Sequence, residues 1–161
     1  MTYYQRKPTY TPSGIPLLSN ALDMSYEDEA RQILGYLWNC EIKPFGRLSP
    51  VDFFALREGA LVGVLELKSR THASTTYPTV YLNLRKWGSL MLYHLGMGCP
   101  ALFVVRFTDG FRWINITSVD ATQMKIAGTR RIVKSHTDIE PIILVPIKAM
   151  ETLAGAQEGI F

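Results

Sequence analysis

One predicted β-hairpin constrains the fold of this chain more than any other segment. Apolar runs at residues 52–56 and 61–68 flank a turn-prone segment that contains Gly59. Two apolar runs separated by a short glycine-containing turn are typical of paired antiparallel strands. Three charged residues lie on these otherwise apolar strands: Asp52, Glu66 and Lys68. Charges on otherwise apolar strands mark the hairpin as the candidate site, whereas a Glu-x-Lys sequence on its own is common and is usually part of a solvated face.

The length of the hairpin loop decides whether the two carboxylates meet. Side chains alternate between the two faces of a strand, so residues two apart share a face. A two-residue loop, 58–59, would place Asp52 opposite Leu65. A three-residue loop, 58–60, would place Asp52 opposite Glu66 on one face. A joint site therefore requires an odd loop, or a β-bulge that restores the parity.

Two carboxylates opposite each other on a sheet repel, so the predicted site needs a compensating cation. Mg²⁺ or Mn²⁺ bound by Asp52 and Glu66 would supply the charge, because both metals prefer oxygen ligands. Lys68 would supply part of it. Such a metal lowers the pKa of its bound water, and Lys68 could orient that water or stabilise charge that develops on a phosphate.

The segments around the hairpin predict an alternation of helices and strands. A first helix begins near Ser25, which is a good N-cap, and a second covers residues 80–95 and ends at Gly96 and Gly98. Strands are predicted at residues 40–45, 52–56, 61–68, 101–107 and 111–116. Because a helix connects 61–68 to 101–107, these two strands should run parallel in an α/β sheet flanked by helices.

The predicted core is flanked by an N-terminal arm and by a C-terminal extension of the same domain. Residues 1–24 hold several prolines and are expected to form an extended arm, and residues 25–161 to form one domain with a core at 25–117. The extension, 118–161, is expected to be rich in β-structure. It is predicted to contain a hairpin over 124–126 and 130–134, a strand over 142–147 and a short helix over 148–153.

Composition excludes several classes of protein. A chain of 161 residues with 47% hydrophobic and 19% charged residues suits one globular domain. No apolar stretch is long enough to span a membrane, and no signal-peptide core is visible, so we expect a cytoplasmic protein. The net charge of +3 permits nucleic-acid binding without requiring it. No glycine-rich phosphate loop is present, so we expect no nucleotide cofactor.

The order of elements and charges resembles the PD-(D/E)XK nuclease superfamily. That family carries an acidic residue on the second strand and an acid-x-Lys motif on the third, where Asp52 and Glu66-Leu67-Lys68 fall. Residues 81–88 and 98–107 are similar to archaeal Holliday-junction resolvases. The resemblance implies a restriction-endonuclease-like core, αβββαββ around a central mixed sheet, and Mg²⁺- or Mn²⁺-dependent cleavage of DNA. Branched DNA would be the first substrate to test, and a homodimer would fit the two nicks that it needs.

The resemblance also implies further site residues outside the hairpin. Such nucleases often add a carboxylate from the first helix, for which Glu29 is the first candidate and Glu27 the alternative. The helix dipole alone also favours acidic residues in a first turn. Basic residues that could contact the DNA backbone, or could equally be solvated surface charges, are Arg70, Lys86, Arg130 and Arg131.

A second class of function stays open at the level of sequence. The chain could be a nucleic-acid-binding or structural protein that retains the nuclease fold without cleavage. The presence of all three charged residues, Asp52, Glu66 and Lys68, argues against that alternative. An enzyme acting on small molecules would need a nucleophile or cofactor motif, and none is visible. The sequence does not separate DNA from RNA as the substrate.

Overall fold

A computed structural model of the chain describes residues 9–10, 16–17, 26–46, 48–128, 139–153 and 160–161. Its elements, in chain order, are β1 (Thr9–Tyr10), β2 (Pro16–Leu17), α1 (Tyr26–Leu37), β3 (Glu41–Pro44), β4 (Phe53–Arg57), β5 (Ala60–Ser69), β6 (Thr79–Asn83), α2 (Leu84–Met97), β7 (Ala101–Phe107), β8 (Gly110–Asn115), β9 (Met124–Gly128), β10 (Ile139–Pro146) and β11 (Glu151–Thr152). Two 3-10 helices, Ile116–Ser118 and Ile147–Ala149, complete the described elements.

A six-stranded mixed sheet forms the centre of the fold, in the order β11-β8-β7-β5-β4-β3. Strands β5 and β7 run parallel, and the other neighbouring pairs in this sheet are antiparallel. The long connection between β5 and β7 contains α2, which is the crossover that parallel strands require. The predicted α/β sheet, with residues 61–68 parallel to 101–107, is confirmed.

The two helices cover opposite faces of this sheet. On one face, Leu65 and Val104 pack with buried residues of α1, which include Ala30 and Leu34. On the other face, apolar side chains from β5 and β7 pack against Leu90 of α2. Alternation along the strands therefore sorts each residue to one helix or the other. Glu66, two positions after Val64 on β5, therefore lies on the face that α2 covers.

The β4–β5 hairpin closes with a two-residue turn, and a bulge then changes its register. Glu58 and Gly59 adopt φ values of 50° and 79°, as a type I′ turn requires. Leu56 pairs with Leu61, but Ala55 pairs with Gly63, so one residue of β5 is left over between them. The predicted requirement for odd parity is met by this β-bulge and not by a three-residue loop.

The second helix starts later than predicted, because residues 79–83 form a strand. Strand β6 pairs antiparallel with β10, and β9 pairs with the other edge of β10. Val80 and Leu82 point into the core while their neighbours in sequence do not, which is the period of a strand. The single helix predicted from residue 80 therefore corresponds to two elements, the strand β6 and the helix α2. The prediction of strands at 101–107 and near 111–116 is confirmed.

The C-terminal extension differs from the prediction in two places. Strand β9 pairs with β10, whereas the predicted partner strand at 130–134 lies outside the described residues. The predicted helix at 148–153 is replaced by a 3-10 turn and by β11, which pairs with the edge strand β8. Hydrogen bonding to an open sheet edge satisfies the backbone there better than an isolated short helix would.

The N-terminal arm is described only where β1 pairs with β2. The boundary between an arm at 1–24 and a domain at 25–161 stays a prediction. In the described part of the chain, neither α1 nor α2 has the length and apolar character needed to cross a membrane.

The type I′ turn predicts opposite effects for substitutions at its two central residues. Gly59→Ala places a side chain at φ 79° and should lower the free energy of unfolding by about 1 kcal/mol. Glu58→Asn should raise it by about 0.5 kcal/mol, because Asn tolerates the left-handed region better than Glu. Urea unfolding with an unchanged slope would measure both values. Equal effects of one sign at both positions would contradict this turn geometry.

Candidate active site

The hairpin register brings the two predicted carboxylates to one face of the sheet. Phe53 pairs with Leu65, so the next step of the ladder brings Asp52 level with Glu66. Asp52 directly precedes β4, and its carbonyl accepts a hydrogen bond from the Phe45 N–H at 2.9 Å. That bond ties Asp52 to the end of β3 and fixes its backbone. Both carboxylates lie on the face that α2 covers.

A lysine from the first turn of α2 joins these two carboxylates. Lys86 Nζ donates a hydrogen bond to Asp52 Oδ1 at 2.5 Å and lies 3.0 Å from Glu66 Oε2. The Glu66 contact is an ion pair without regular hydrogen-bond geometry, and the buried Oε2 accepts no hydrogen bond from the part of the chain that the structure describes. Because one ammonium reaches both groups, the two carboxylates converge on a single point.

The crowding of these charges shifts their pKa values. The pKa of Glu66 is raised from 4.5 to about 8, chiefly by burial and also by the neighbouring Asp52, while Lys86 opposes the change. Burial alone would lower the pKa of Lys86, but its contacts with Asp52 and Glu66 outweigh burial and raise it. Burial therefore makes the charged form of Glu66 costly, and a cation beside it lowers that cost.

Lys68 lies on the same face of β5 as Glu66, but β6 holds its ammonium. Lys68 Nζ donates a hydrogen bond to the Tyr81 carbonyl at 3.2 Å and lies 3.6 Å from the centroid of the Tyr81 ring. The pKa of Lys68 is lowered to about 8, chiefly by burial and also by the charge of Arg70, whereas Glu66 and Glu140 oppose the shift. Lys68 thus sits in a partly desolvated position beside the carboxylates.

The structure does not bring Glu29 to the carboxylate pair. Glu29 Oε2 accepts a hydrogen bond from Arg106 Nη2 at 2.9 Å, and each of these side chains is 14% exposed. Both residues lie on the α1 side of the sheet, away from Glu66, so the prediction of Glu29 as a metal ligand is not supported. The alternative, Glu27, is exposed in the first turn of the same helix. Among the described residues, no three His, Cys, Asp or Glu side chains form a metal-binding group.

The basic candidates have different surroundings. Arg70 follows β5, and its guanidinium lies 5.0 Å from the Tyr81 ring centroid, near Lys68. Lys86, predicted as a DNA contact, instead bridges the two carboxylates. Arg130 and Arg131 lie outside the residues that the structure describes.

Sequence reasoning missed two neighbours of Lys68, namely Tyr81 and Glu140. Tyr81 lies in the run Thr79-Val80-Tyr81-Leu82-Asn83, where the aliphatic residues Val80 and Leu82 alternate with residues that carry a polar group. That alternation is the signal that could have identified β6. Glu140 lies on β10, and no local pattern connects it with the hairpin, because the proximity of its charge to Lys68 depends on sheet topology.

Removal of the Glu66 charge should alter the pH dependence of stability in the metal-free protein. The raised pKa means that the folded protein keeps a proton that the unfolded chain releases, so stability falls as the pH rises from 4.5 to about 8. Glu66→Gln lacks this titration. Its free energy of unfolding should decline less than that of the wild type between about pH 5 and about pH 8.5, by about 2 kcal/mol.

Urea unfolding in the presence of a chelator would measure this difference. Glu41→Gln is the matched control, because Glu41 is a half-exposed residue of the same sheet that pairs with Lys43 at the surface. A Glu66→Gln curve that runs parallel to the wild-type curve across this pH range would contradict the shifted pKa.

Comparisons with known proteins identify the family and the fold of this chain. Residues 16–153 match the model of a family described as "Phage putative PDDEXK endonuclease". No curated protein matches the sequence. Among solved structures, Hjc, a Holliday junction resolvase from the archaeal hyperthermophile Archaeoglobus fulgidus, matches with a TM-score of 0.50 and 14% identity, over 78% of this chain and 88% of that chain. The predicted restriction-endonuclease-like fold is thereby confirmed. Because the family match covers most of the sequence, the chain belongs to the phage PDDEXK endonuclease family.

Proposed function

We propose that this protein is a metal-dependent endonuclease that hydrolyses phosphodiester bonds in DNA. The observation that carries the proposal is the convergence of Asp52 and Glu66 on one cation, Lys86 Nζ, at 2.5 Å and 3.0 Å. Two strands and a bulge are needed to produce this convergence, and it places like charges together at a cost in stability. Membership of an endonuclease family supports the same conclusion.

The donor set at this point fits Mg²⁺ or Mn²⁺. Carboxylate oxygens are the ligands that hard divalent cations prefer, and Mg²⁺ is often bound by one or two carboxylates together with waters and substrate phosphates. Glu66 Oε2 is buried and already faces one cation, the Lys86 ammonium at 3.0 Å, as it would face a bound metal. Asp52 and Glu66 would hold the metal.

The surrounding side chains would position the reactants. A bound Mg²⁺ would lower the pKa of a water ligand and neutralise charge on a phosphate oxygen. Lys68, held by the Tyr81 carbonyl and ring, would hydrogen-bond the attacking water or stabilise the negative charge that develops on the phosphate. Arg70, beside the same ring, would contact the phosphate backbone of the DNA.

Branched DNA is the substrate that we propose. The structural likeness to a Holliday junction resolvase supports this choice, although at 14% identity that likeness shows only a shared fold. The slightly basic charge of the chain is compatible with a DNA partner. A four-way junction needs two nicks, so two copies of the chain would act together as a homodimer.

Loss of either carboxylate should abolish cleavage. We expect Asp52→Asn and Glu66→Gln each to lower the rate of cleavage by about a thousandfold, because each removes a charged ligand while keeping the shape of the side chain. Labelled four-way, forked and linear DNA of the same sequence, incubated with Mg²⁺ or with chelator, would measure the rate and the substrate preference. The wild type should cut the four-way junction fastest and only with metal.

Two exposed residues provide matched controls for this experiment. Asp120→Asn and Glu41→Gln remove the same chemical groups at the surface, and both variants should cleave like the wild type. Absence of metal-dependent cleavage of every substrate by the wild type would overturn the proposal and favour a non-catalytic binding protein. Equal rates on all three DNAs would leave an endonuclease without the proposed preference for branches.

Lys68 should affect cleavage without affecting metal binding. Lys68→Met keeps the aliphatic stem against Tyr81 but removes the ammonium, so we expect cleavage to fall by about a hundredfold. The affinity for Mn²⁺, measured from the electron paramagnetic resonance signal of the free ion, should change by less than about threefold, because the two carboxylates stay in place. A parallel loss of Mn²⁺ affinity would instead make Lys68 necessary for the metal site itself. Lys148→Met, at an exposed lysine, is the control.

A further inference from the structure

Lys86 occupies the point at which a metal held by Asp52 and Glu66 would lie. Its ammonium lies 2.5 Å from one carboxylate oxygen and 3.0 Å from the other. A divalent cation bound to the same two oxygens would lie still closer to them, since Mg²⁺–oxygen distances are about 2.1 Å. Two cations cannot share that space, and their like charges would repel each other. Metal and ammonium are therefore alternatives for one position.

The location of Lys86 in its helix supports a role directed at the carboxylates. It is the third residue of α2, which begins at Leu84, and the first turn of this helix contains no acidic residue. A cation near a helix N-terminus is unfavourable, because the helix dipole places partial positive charge there. Helix stability therefore does not account for a lysine at this position, whereas two facing carboxylates do.

We infer that Lys86 is a built-in counter-cation of the carboxylate pair, which a divalent metal must displace when it binds. The inference rests on the proposed function, since it takes Asp52 and Glu66 as the metal-holding groups. While it is in place, the ammonium offsets the repulsion between the two carboxylates, so the site can form before metal arrives. Metal binding then breaks the ion pairs of Lys86 with the two carboxylates and releases its ammonium.

The released ammonium would stay beside the metal, because Lys86 is anchored in the first turn of α2. Its side chain is 31% exposed, so it can swing toward solvent without unfolding the helix. A DNA phosphate drawn to the metal would give the displaced ammonium a new anionic partner. Metal and DNA would then favour each other's binding, because both favour the displaced position of the Lys86 side chain.

The affinity for Mn²⁺, measured on the whole chain from the electron paramagnetic resonance signal of the free ion at one fixed pH, tests the inference. Lys86→Met keeps the length of the side chain but removes the competing charge, so it should bind Mn²⁺ about tenfold more tightly than the wild type. Lys86→Arg keeps a cation and should bind Mn²⁺ no more tightly than the wild type. Lys148→Met, which removes a charge from an exposed lysine, should leave the affinity unchanged.

Several outcomes would overturn the inference. Lys86→Met with equal or weaker Mn²⁺ binding would show that Lys86 supports the metal site and does not compete with the metal. Equal tightening by Lys148→Met would assign the effect to net charge. The absence of any Mn²⁺ binding that Asp52→Asn removes would overturn both the inference and the metal dependence. If Lys86→Met does not fold, as judged by circular dichroism, Lys86→Gln takes its place with the same expected result.

A failure of the proposed function would look different from a failure of this inference. Tighter Mn²⁺ binding by Lys86→Met, together with no cleavage of any DNA by the wild type, would leave Lys86 as the competing cation of a metal site that is not a nuclease centre. Metal-dependent cleavage with unchanged Mn²⁺ affinity in Lys86→Met would keep the nuclease and remove the counter-cation.

Discussion

The candidate site depends first on the register of the β4–β5 hairpin. A type I′ turn is the tightest way to join two twisted strands, but on its own it would place Asp52 on the face opposite Glu66. The extra residue in β5 reverses that outcome over the rest of the strand. Bulges near functional sites often re-aim side chains in this way. Everything that α2 and β6 add to the site is arranged around the resulting pair of carboxylates.

The site balances its charges with groups from three separate elements. Lys86 belongs to α2 and Lys68 to β5. Tyr81 of β6 holds the Lys68 ammonium through its carbonyl and its ring. Burial shifts the pKa of Glu66 upward and that of Lys68 downward, so in both groups burial opposes the charged form. Perturbed titration of neighbouring groups is a frequent property of active sites.

Much of this arrangement could be predicted from the sequence, and the reasons for the failures are physical. Period-two alternation and a glycine turn located β4 and β5. The alternation of faces also showed that Asp52 meets Glu66 only if the hairpin has an odd loop or a β-bulge. The prediction that α1 supplies a third metal ligand could not be tested from the sequence. Glu29 pairs with Arg106, which lies 77 residues away, and no local pattern shows such a partner. The role of Lys86 was also missed, since a helix pattern shows which residues are polar but not which groups they face.

The pairing of β6 with β10 changes how the chain should be divided. Strand β6 lies within the stretch that resembles the nuclease core, yet among the described strands its hydrogen-bonded neighbour is β10, which belongs to the C-terminal extension. The Tyr81 carbonyl that holds Lys68 is therefore positioned by a strand whose partner residue, Leu144, lies more than sixty places further along the sequence. A core cut at residue 117 would keep the complete motif but lose the support for one of its three charged groups. The part of the chain that supports all three charged groups is thus larger than the sequence signature.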